Sequence, residues 1–412
     1  MNRYAHGNIM KGAFNALPKN IMKALHPYKG KIGLYGNYPD IFDDPARAES
    51  DKLKIDSAWR SYCVFPDSLP GKGLHLCNLP GDAQSLWSPI VEYWFNLALE
   101  SCRNKNYEDF LKYIGCLSHW LGDAFQPAHI IDLKLLEELL PPPSGMEDFH
   151  YHTDLEAVTG KCGKIEKPDF LGTEPAEVAW RTTMKSAILR RKSKNTVVPI
   201  LQNIFKGHAA AAEKLSGEPV TYAARLTRDL IYTAWKTATG NASAREIEKL
   251  RKADLRVVRP EDEFHDSVYG GAIIDGNRNT PPSGAPVIPA RLLVSRGNIA
   301  RMKGIGMLPH SGMYAPRNCW MRFNLPAGVF EMFEAIAGMN ASLVKEGAVF
   351  FIVKLDDREV FRSRRMTSAD VSLKISVEIG NAASITLLVE DANDGKTFWN
   401  NHAFWGDPFL LK

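Results

Sequence analysis

The sequence predicts a multidomain protein, an all-α helical bundle followed by an all-β sandwich of jelly-roll-like form. Three observations predict it. The chain has 412 residues, 45% of them hydrophobic, which is more than one ordinary core accommodates, so two domains are expected. Before about residue 245, apolar residues recur with the helical period. After about Ala253, short β-branched and alternating runs are separated by turn residues. The expected divisions are a helical domain at 1–243, a linker at 244–265 and a sandwich at 266–412.

The helical elements follow from periodicity. "WSPIVEYWFNLALESC" (87–102), "YEDFLKYIGCLSHWLGDAF" (107–125) and "LIYTAWKTATG" (230–240) each place apolar residues on a helical stripe. "LQNIFKGHAAAAEKLSG" (201–217) reads as another helix, stopped by its final glycine. Gly and Pro clusters such as "FPDSLPGKG" and "LLPPPSG" mark the loops. In the second half, "VIPARLLVS", "WMRFNLP", "GAVFFIVKLDDREVF", "VSLKISVEI" and "SITLLVEDANDG" read as strands. "LDDREVF" has the form of a tight hairpin with Asp356 and Asp357 at the turn. "DGNRNTPPSGAP" (275–286) reads as a surface loop.

Charge narrows the function. Lys and Arg number 51 against 47 Asp and Glu, a formal net charge of +4. Such a surface lacks the concentrated basic face of a stable nucleic-acid binder. The one basic run, "RRKSK" at 190–194, reads as a solvated helix end. No apolar run reaches the roughly 18 residues that cross a bilayer, so no transmembrane segment is expected. "MNRYAHGNIMKG" lacks the apolar stretch of a signal peptide. The chain is therefore either cytosolic or begins at or near a processed end. Six cysteines with no CxxC pair leave the redox compartment open.

The histidines are skewed, seven of the eleven preceding residue 153. His119 and Asp123 are spaced i, i+4 and share a helix face. Pro127 then bends or ends the helix, and His129 follows the bend. His152 and Glu156 repeat the i, i+4 spacing. Imidazole and carboxylate in this arrangement suit Zn²⁺, which takes nitrogen and oxygen ligands at about 2.0–2.2 Å. A lone His–Asp pair also forms within an ordinary core, so the spacing alone leaves both readings open.

"HWLGDAFQPAH" resembles the signature of the zinc-dependent phospholipase C / S1–P1 nuclease family, including Gly122, Gln126 and Pro127. The resemblance covers about residues 1–242 and implies a helical bundle with three zinc ions in a cleft. It implies Asp40, His75, His119 and Asp123 as ligands of the first ion. It implies His129, His152 and Glu156 on the second. For the third it implies His6, a bridging Asp123 and the amino and carbonyl groups of Met1. The implied reaction is in-line hydrolysis of a phosphodiester, with Asp40 orienting or deprotonating the nucleophile. Asp43 and Asp44 compete with Asp40, and His150 with Asp154 competes with His152 and Glu156. Asp40 is preferred for its Pro-Asp-Ile-Phe context, and Glu156 because Leu155 precedes it. His26 and His208 match nothing and read as structural or surface residues. Family members start with a mature Trp, where this chain has Met1, yet the distance to His6 equals that of the nuclease branch.

Glu156 is similar to the phospholipase branch, where the nuclease branch tends to have aspartate. The loop His75-Leu76-Cys77-Asn78 lacks both the stacking aromatic and the acid of the nuclease branch. The Gly-Gly-Asn run before the last histidine is also absent. A phospholipase C-like hydrolase is the favoured expectation, and a P1-type single-strand nuclease or 3′-nucleotidase the alternative. The family is secreted or periplasmic.

Residues 266–412 resemble the NPCBM family of carbohydrate-binding modules, through "KGIG" at 303–306, the run Asp391 to Gly395, and the closing His402, Trp405 and Asp407-Pro408. Such modules are β-sandwiches joined to secreted glycan-acting enzymes, which implies a glycan or cell-surface partner. An exposed Trp399 or Trp405 would stack on a sugar face, and each also reads as a core residue. Asp391, Asn393 and Asp394 would hold Ca²⁺ or cap a turn. A helical phospholipase followed by a sandwich also admits membrane docking. No basic amphipathic helix or apolar strand tip is evident, so a glycan partner is preferred.

Overall fold

The computed structural model describes residues 3–43, 59–69, 84–256, 258, 260, 262–264, 273–274, 290–307, 309, 311–312, 315–316, 318–341, 347–392 and 401–412. The chain divides into two compact units, Met1–Glu246 and Ile247–Lys412. Residues 244–265, expected as a linker, carry a helix at Ala244–Leu250 and strands at Lys252–Asp254 and Asp262–Phe264.

The first unit contains α1 (Arg3–Asn15), α2 (Lys19–Leu25), α3 (Ile32–Tyr35), α4 (Tyr38–Asp43), α5 (Gln84–Arg103), α6 (Tyr107–Phe125), α7 (Leu133–Leu139), α8 (Tyr151–Ala157), α9 (Pro175–Phe205) and α10 (Ala209–Thr239). The helix Ala244–Leu250 is α11. Single 3₁₀ turns lie at His26–Tyr28, Trp59–Cys63 and Pro127–His129. α6 starts at Asn106, whose side chain accepts from the Asp109 N–H at 3.3 Å. From Phe110 to Phe125 every residue except Tyr113 is buried, the pattern of a helix at the centre of a bundle. It packs against α1, α5 and α10, around Phe14, Trp94, Phe95 and Trp120. A smaller core joins Tyr151 and Leu155 of α8 to Val197, Ile200 and Leu201 of α9.

Two readings of the helical half need correction. The stretch 201–217 is not one helix. α9 ends at Phe205, Gly207 adopts φ +70°, and α10 runs from Ala209 straight through Gly217. Gly207 provides the left-handed residue that follows a helix end. Gly217 serves close packing instead, since a Cβ there would lie 2.7 Å from the Lys161 carbonyl oxygen. The basic run 190–194 is likewise not a solvated helix end. It lies in the middle of the 31-residue α9. Arg190 and Ser193 are buried, while Arg191, Lys192 and Lys194 are exposed.

Among the described residues, the second unit is built on two six-stranded antiparallel sheets. In the first, β14 (Leu373–Glu378), β10 (Met332–Met339), β16 (Ala403–Leu411), β6 (Gly304–Met307) and β3 (Ile273–Ile274) follow in that order, and β1 (Lys252–Asp254) also pairs with β16. In the second the order is β12 (Arg358–Arg362), β11 (Ala348–Leu355), β15 (Ser384–Asp391), β9 (Asn318–Asn324) and β2 (Asp262–Phe264), with β13 (Met366–Thr367) on β11. Two hairpins stand apart, β4 (Ala290–Ser295) with β5 (Asn298–Met302) and β7 (Ser311–Gly312) with β8 (Ala315–Pro316). The turn between β11 and β12 has Asp356 at φ +46° and Asp357 at φ +66°, as the two-residue hairpin geometry requires.

Trp405 is a correction to the sugar-stacking expectation. Its side chain on β16 is fully buried, with its ring edge-on to Phe351 of the other sheet at 5.2 Å. A ring filling the space between two sheets has no face to offer a glycan. Trp399, Asn393 and Asp394 lie outside the described residues. Asp391 ends β15 and accepts a hydrogen bond from Asn401 at 2.9 Å.

Candidate metal centre

Among the described residues, two groups of side chains have ligand atoms within 4.8 Å of one another: His6, Asp40 and His119, and His129, His152 and Glu156. Asp123 lies between them. Its carboxylate oxygens are 3.5 Å from His6 Nε2, 3.6 Å from His119 Nε2 and 3.7 Å from His129 Nδ1. Met1 and His75 lie outside the described residues, as do Asp44 and the side chain of Asp43.

The first group is assembled from α1, α4 and α6. His119 and Asp123 share one face of α6, and both are buried. The His119 ring is held by its Nδ1–H, which donates to the Gly36 carbonyl at 2.9 Å. A carbonyl only accepts, so the proton sits on Nδ1 and the Nε2 lone pair faces Asp40 at 3.7 Å. Orientation of a ligand imidazole by a backbone carbonyl is the arrangement metal sites use. His6 enters from α1, its ring stacked on that of His119 with centroids 3.6 Å apart. Gly122 makes room for it, because a Cβ there would lie 2.7 Å from His6 Nδ1. Asp40 is one-quarter exposed and gives the group its access to solvent.

The second group is local in sequence. α6 ends at Phe125, Gln126 is extended at ψ 125°, and Pro127 opens the 3₁₀ turn that ends in His129. The residue before a proline is pushed out of the α region, which is why the chain turns here. α8 is anchored by buried Tyr151 and Leu155, so His152 and Glu156, one turn apart, stay together on another face. His129 Nε2 and Glu156 Oε1 are 2.9 Å apart, and His152 Nε2 lies 3.8 Å from the same oxygen. Burial raises the Glu156 pKa, but its hydrogen bond with His129 and nearby positive charge outweigh this and leave it at about 2. His150 with Asp154, the competing pair, serves the helix start. Asp154 accepts the His150 backbone N–H at 2.7 Å. His26 and His208 are exposed and stand apart from both groups.

The spacing has a chemical meaning. Two ligands bound to one Zn²⁺ at about 2.1 Å in tetrahedral geometry have donor atoms about 3.4 Å apart. The Asp123 contacts of 3.5–3.7 Å are too long for hydrogen bonds and close to that separation. A buried carboxylate with three imidazole nitrogens around it at this separation is a donor set that can share a cation. The donors are nitrogen and oxygen, as zinc prefers, so the residues fit the metal.

The sequence pattern does not reveal the Gly36 carbonyl or the roles of Arg190 and Ser193. Arg190 Nη2 donates to the His129 carbonyl at 3.3 Å, and Ser193 Oγ donates to the Phe125 carbonyl at 2.5 Å. Burial lowers the Arg190 guanidinium to about 10, which leaves it charged at neutral pH. No apolar period marks Arg190 and Ser193, which are polar and stand beside Arg191, Lys192 and Lys194.

Residues 293–411 match the NPCBM/NEW2 domain family. No curated protein matches the sequence. Solved structures similar to this chain include the following three. The M60 catalytic domain with CBM51-1 and CBM51-2 domains from Clostridium perfringens ZmpB shares 26% identity over 39% of this chain, with a TM-score of 0.32, and the match covers 15% of that structure. CBM51 from Clostridium perfringens GH95, in complex with methyl-galactose, shares 21% over 39% of this chain and 99% of its own, with a TM-score of 0.32. Clostridium perfringens alpha-toxin from avian strain SWCP shares 12% over 99% of this chain and 98% of its own, with a TM-score of 0.32. No helix among the described residues is long and apolar enough to cross a membrane.

Proposed function

We propose that the helical unit is a zinc-dependent phosphoric ester hydrolase of phospholipase C type, secreted or periplasmic, and that the NPCBM/NEW2 domain attaches it to a glycan or cell surface. The observation that carries this reading is Asp123, a buried carboxylate shared between two groups of histidines and carboxylates at metal-ligand spacing. Asp40, His119 and Asp123 would hold one ion with His75. His129, His152 and Glu156 would hold a second, and His6 and Asp123 a third with Met1. Bound zinc supplies Lewis acidity that brings water ionisation near neutral pH and offsets phosphoryl charge.

The chain's own residues do the rest. Asp40, the most exposed member of its group, is placed to accept a proton from the attacking water or to orient it. His119 is kept from rotating by Gly36, and the surrounding bundle keeps the Asp123 side of the site dry. Glu156, an acid one methylene longer than the aspartate of the nuclease branch, and the loop His75-Leu76-Cys77-Asn78, without a stacking aromatic, support a lipid phosphodiester as the substrate.

Metal analysis of the purified full-length chain tests the proposal, with two to three zinc ions expected. Fewer than two would overturn it. Parallel assays on phosphatidylcholine vesicles and single-stranded DNA test the substrate class, and hydrolysis of DNA alone would replace phospholipase with nuclease. Asp40→Asn is expected to lose activity while keeping most of its zinc. Wild-type turnover would remove Asp40 from the chemistry.

A further inference from the structure

The six-residue step from Asp123 to His129 passes from α-helix through an extended residue into a 3₁₀ turn. Its own backbone bonds, Gln126 N–H to Asp123 O at 3.2 Å and His129 N–H to Gln126 O at 2.9 Å, engage the N–H groups of the corner. Carbonyls at a helix end have no partner within the helix and must find one elsewhere. Here α9 provides the partners. Ser193 Oγ reaches the Phe125 carbonyl at 2.5 Å and Arg190 Nη2 the His129 carbonyl at 3.3 Å. The two donors are three residues apart, on one face of the helix, and both are buried. Farther along α9, Val197, Ile200 and Leu201 pack with Tyr151 and Leu155, the residues that anchor α8. One helix therefore holds the His129 backbone through one hydrogen bond, the start of the corner at Phe125 through another, and His152 and Glu156 through an apolar contact.

We infer that Arg190 and Ser193 are positioning residues that set the placement of His129 relative to Asp123, Glu156 and His152, and thereby the metal affinity of that group. The inference rests on the zinc reading above. Arg190 makes a charge-assisted bond to the neutral His129 carbonyl, and through this bond it acts on the backbone of the ligand residue.

The test uses the full chain, stripped of metal by a chelator and titrated with Zn²⁺ against a chromophoric competitor, then with Co²⁺ for its d–d spectrum. Arg190→Met and Ser193→Ala are each expected to weaken one zinc site about 10–100-fold, the usual effect of losing an outer partner of a ligand. The remaining zinc is expected to keep wild-type affinity and the cobalt spectrum of one site to change. Arg190→Lys, which keeps the charge and one donor, is expected to recover part of the loss. If Arg190→Met does not fold, Ser193→Ala carries the test, because it removes one hydroxyl. Variants that match wild type in zinc affinity and cobalt spectrum, beside a wild type holding at least two zinc ions, overturn the inference alone. A wild type holding fewer than two overturns the zinc reading and this inference with it.

Discussion

The two ligand groups differ in how they are made. His6, Asp40 and His119 come from three helices spread over more than a hundred residues, and His6 and His119 are fully buried. His129, His152 and Glu156 come from one short stretch, with His152 about half exposed. The deep group is held by bundle packing, by a glycine that leaves room for a ring and by a carbonyl that fixes a tautomer. The shallow group is held by a proline corner and a two-turn helix pinned to α9. A deep group should bind tightly and exchange slowly, while a shallow one should open to solvent first.

The largest effect is expected where the two groups meet. Asp123→Asn removes the charge that the first and third ions would share, and phosphodiester hydrolysis should fall by at least about 10³-fold with loss of zinc from those two positions. A variant that retains its zinc and its rate would mean that Asp123 links nothing.

Gly122→Ala separates the groups. Its Cβ would press on His6 at 2.7 Å, so zinc affinity should drop about 10–100-fold at the deep group and stay unchanged at the shallow one. Equal loss at both, measured by competition titration, would show that they are not independent. His152→Ala is the converse. It should cost about tenfold in affinity at the shallow group, and in wild type this group should yield its ion first to a chelator.

The smallest effect concerns a carboxylate remote from both groups. At the start of α11, Glu246 accepts from Tyr232 at 2.5 Å and from the Ser243 N–H at 2.7 Å, a capping box. Burial raises its pKa, but the Ser243 and Tyr232 hydrogen bonds and Lys236 bring it below its usual 4.5, to about 2. A pKa depressed in the folded state stabilises above about 4.5, and the contribution fades as pH falls towards 2. Glu246→Gln keeps the acceptor and loses the charge, so it should cost about 1 kcal/mol in thermal unfolding at neutral pH, less in acid, with zinc content unchanged.

Most of the architecture was legible before the structure. The α-then-β order, α6 from end to end, and the Asp356-Asp357 hairpin follow from period and turn chemistry. The misread elements share a cause. Gly217 looked like a helix stop, Arg190 like a solvated charge and Trp405 like a candidate sugar platform. Each residue type has a common surface or terminal role, and each is instead held by a neighbour remote in sequence: the Lys161 carbonyl, the His129 carbonyl and the Phe351 ring.

The sequence by itself determined that His119 and Asp123 share a helix face and that the chain turns before His129, because helix pitch and a proline corner are local geometry and act over a dozen residues. It likewise put His152 and Glu156 one helical turn apart, as it did His150 and Asp154, and left the choice between the two pairs open. Tertiary structure decided how His6 and Asp40 meet His119, which carbonyl holds the His119 tautomer, and which buried guanidinium steadies His129. Those contacts join helices far apart along the chain, and only the packing of the bundle brings them within a few ångströms.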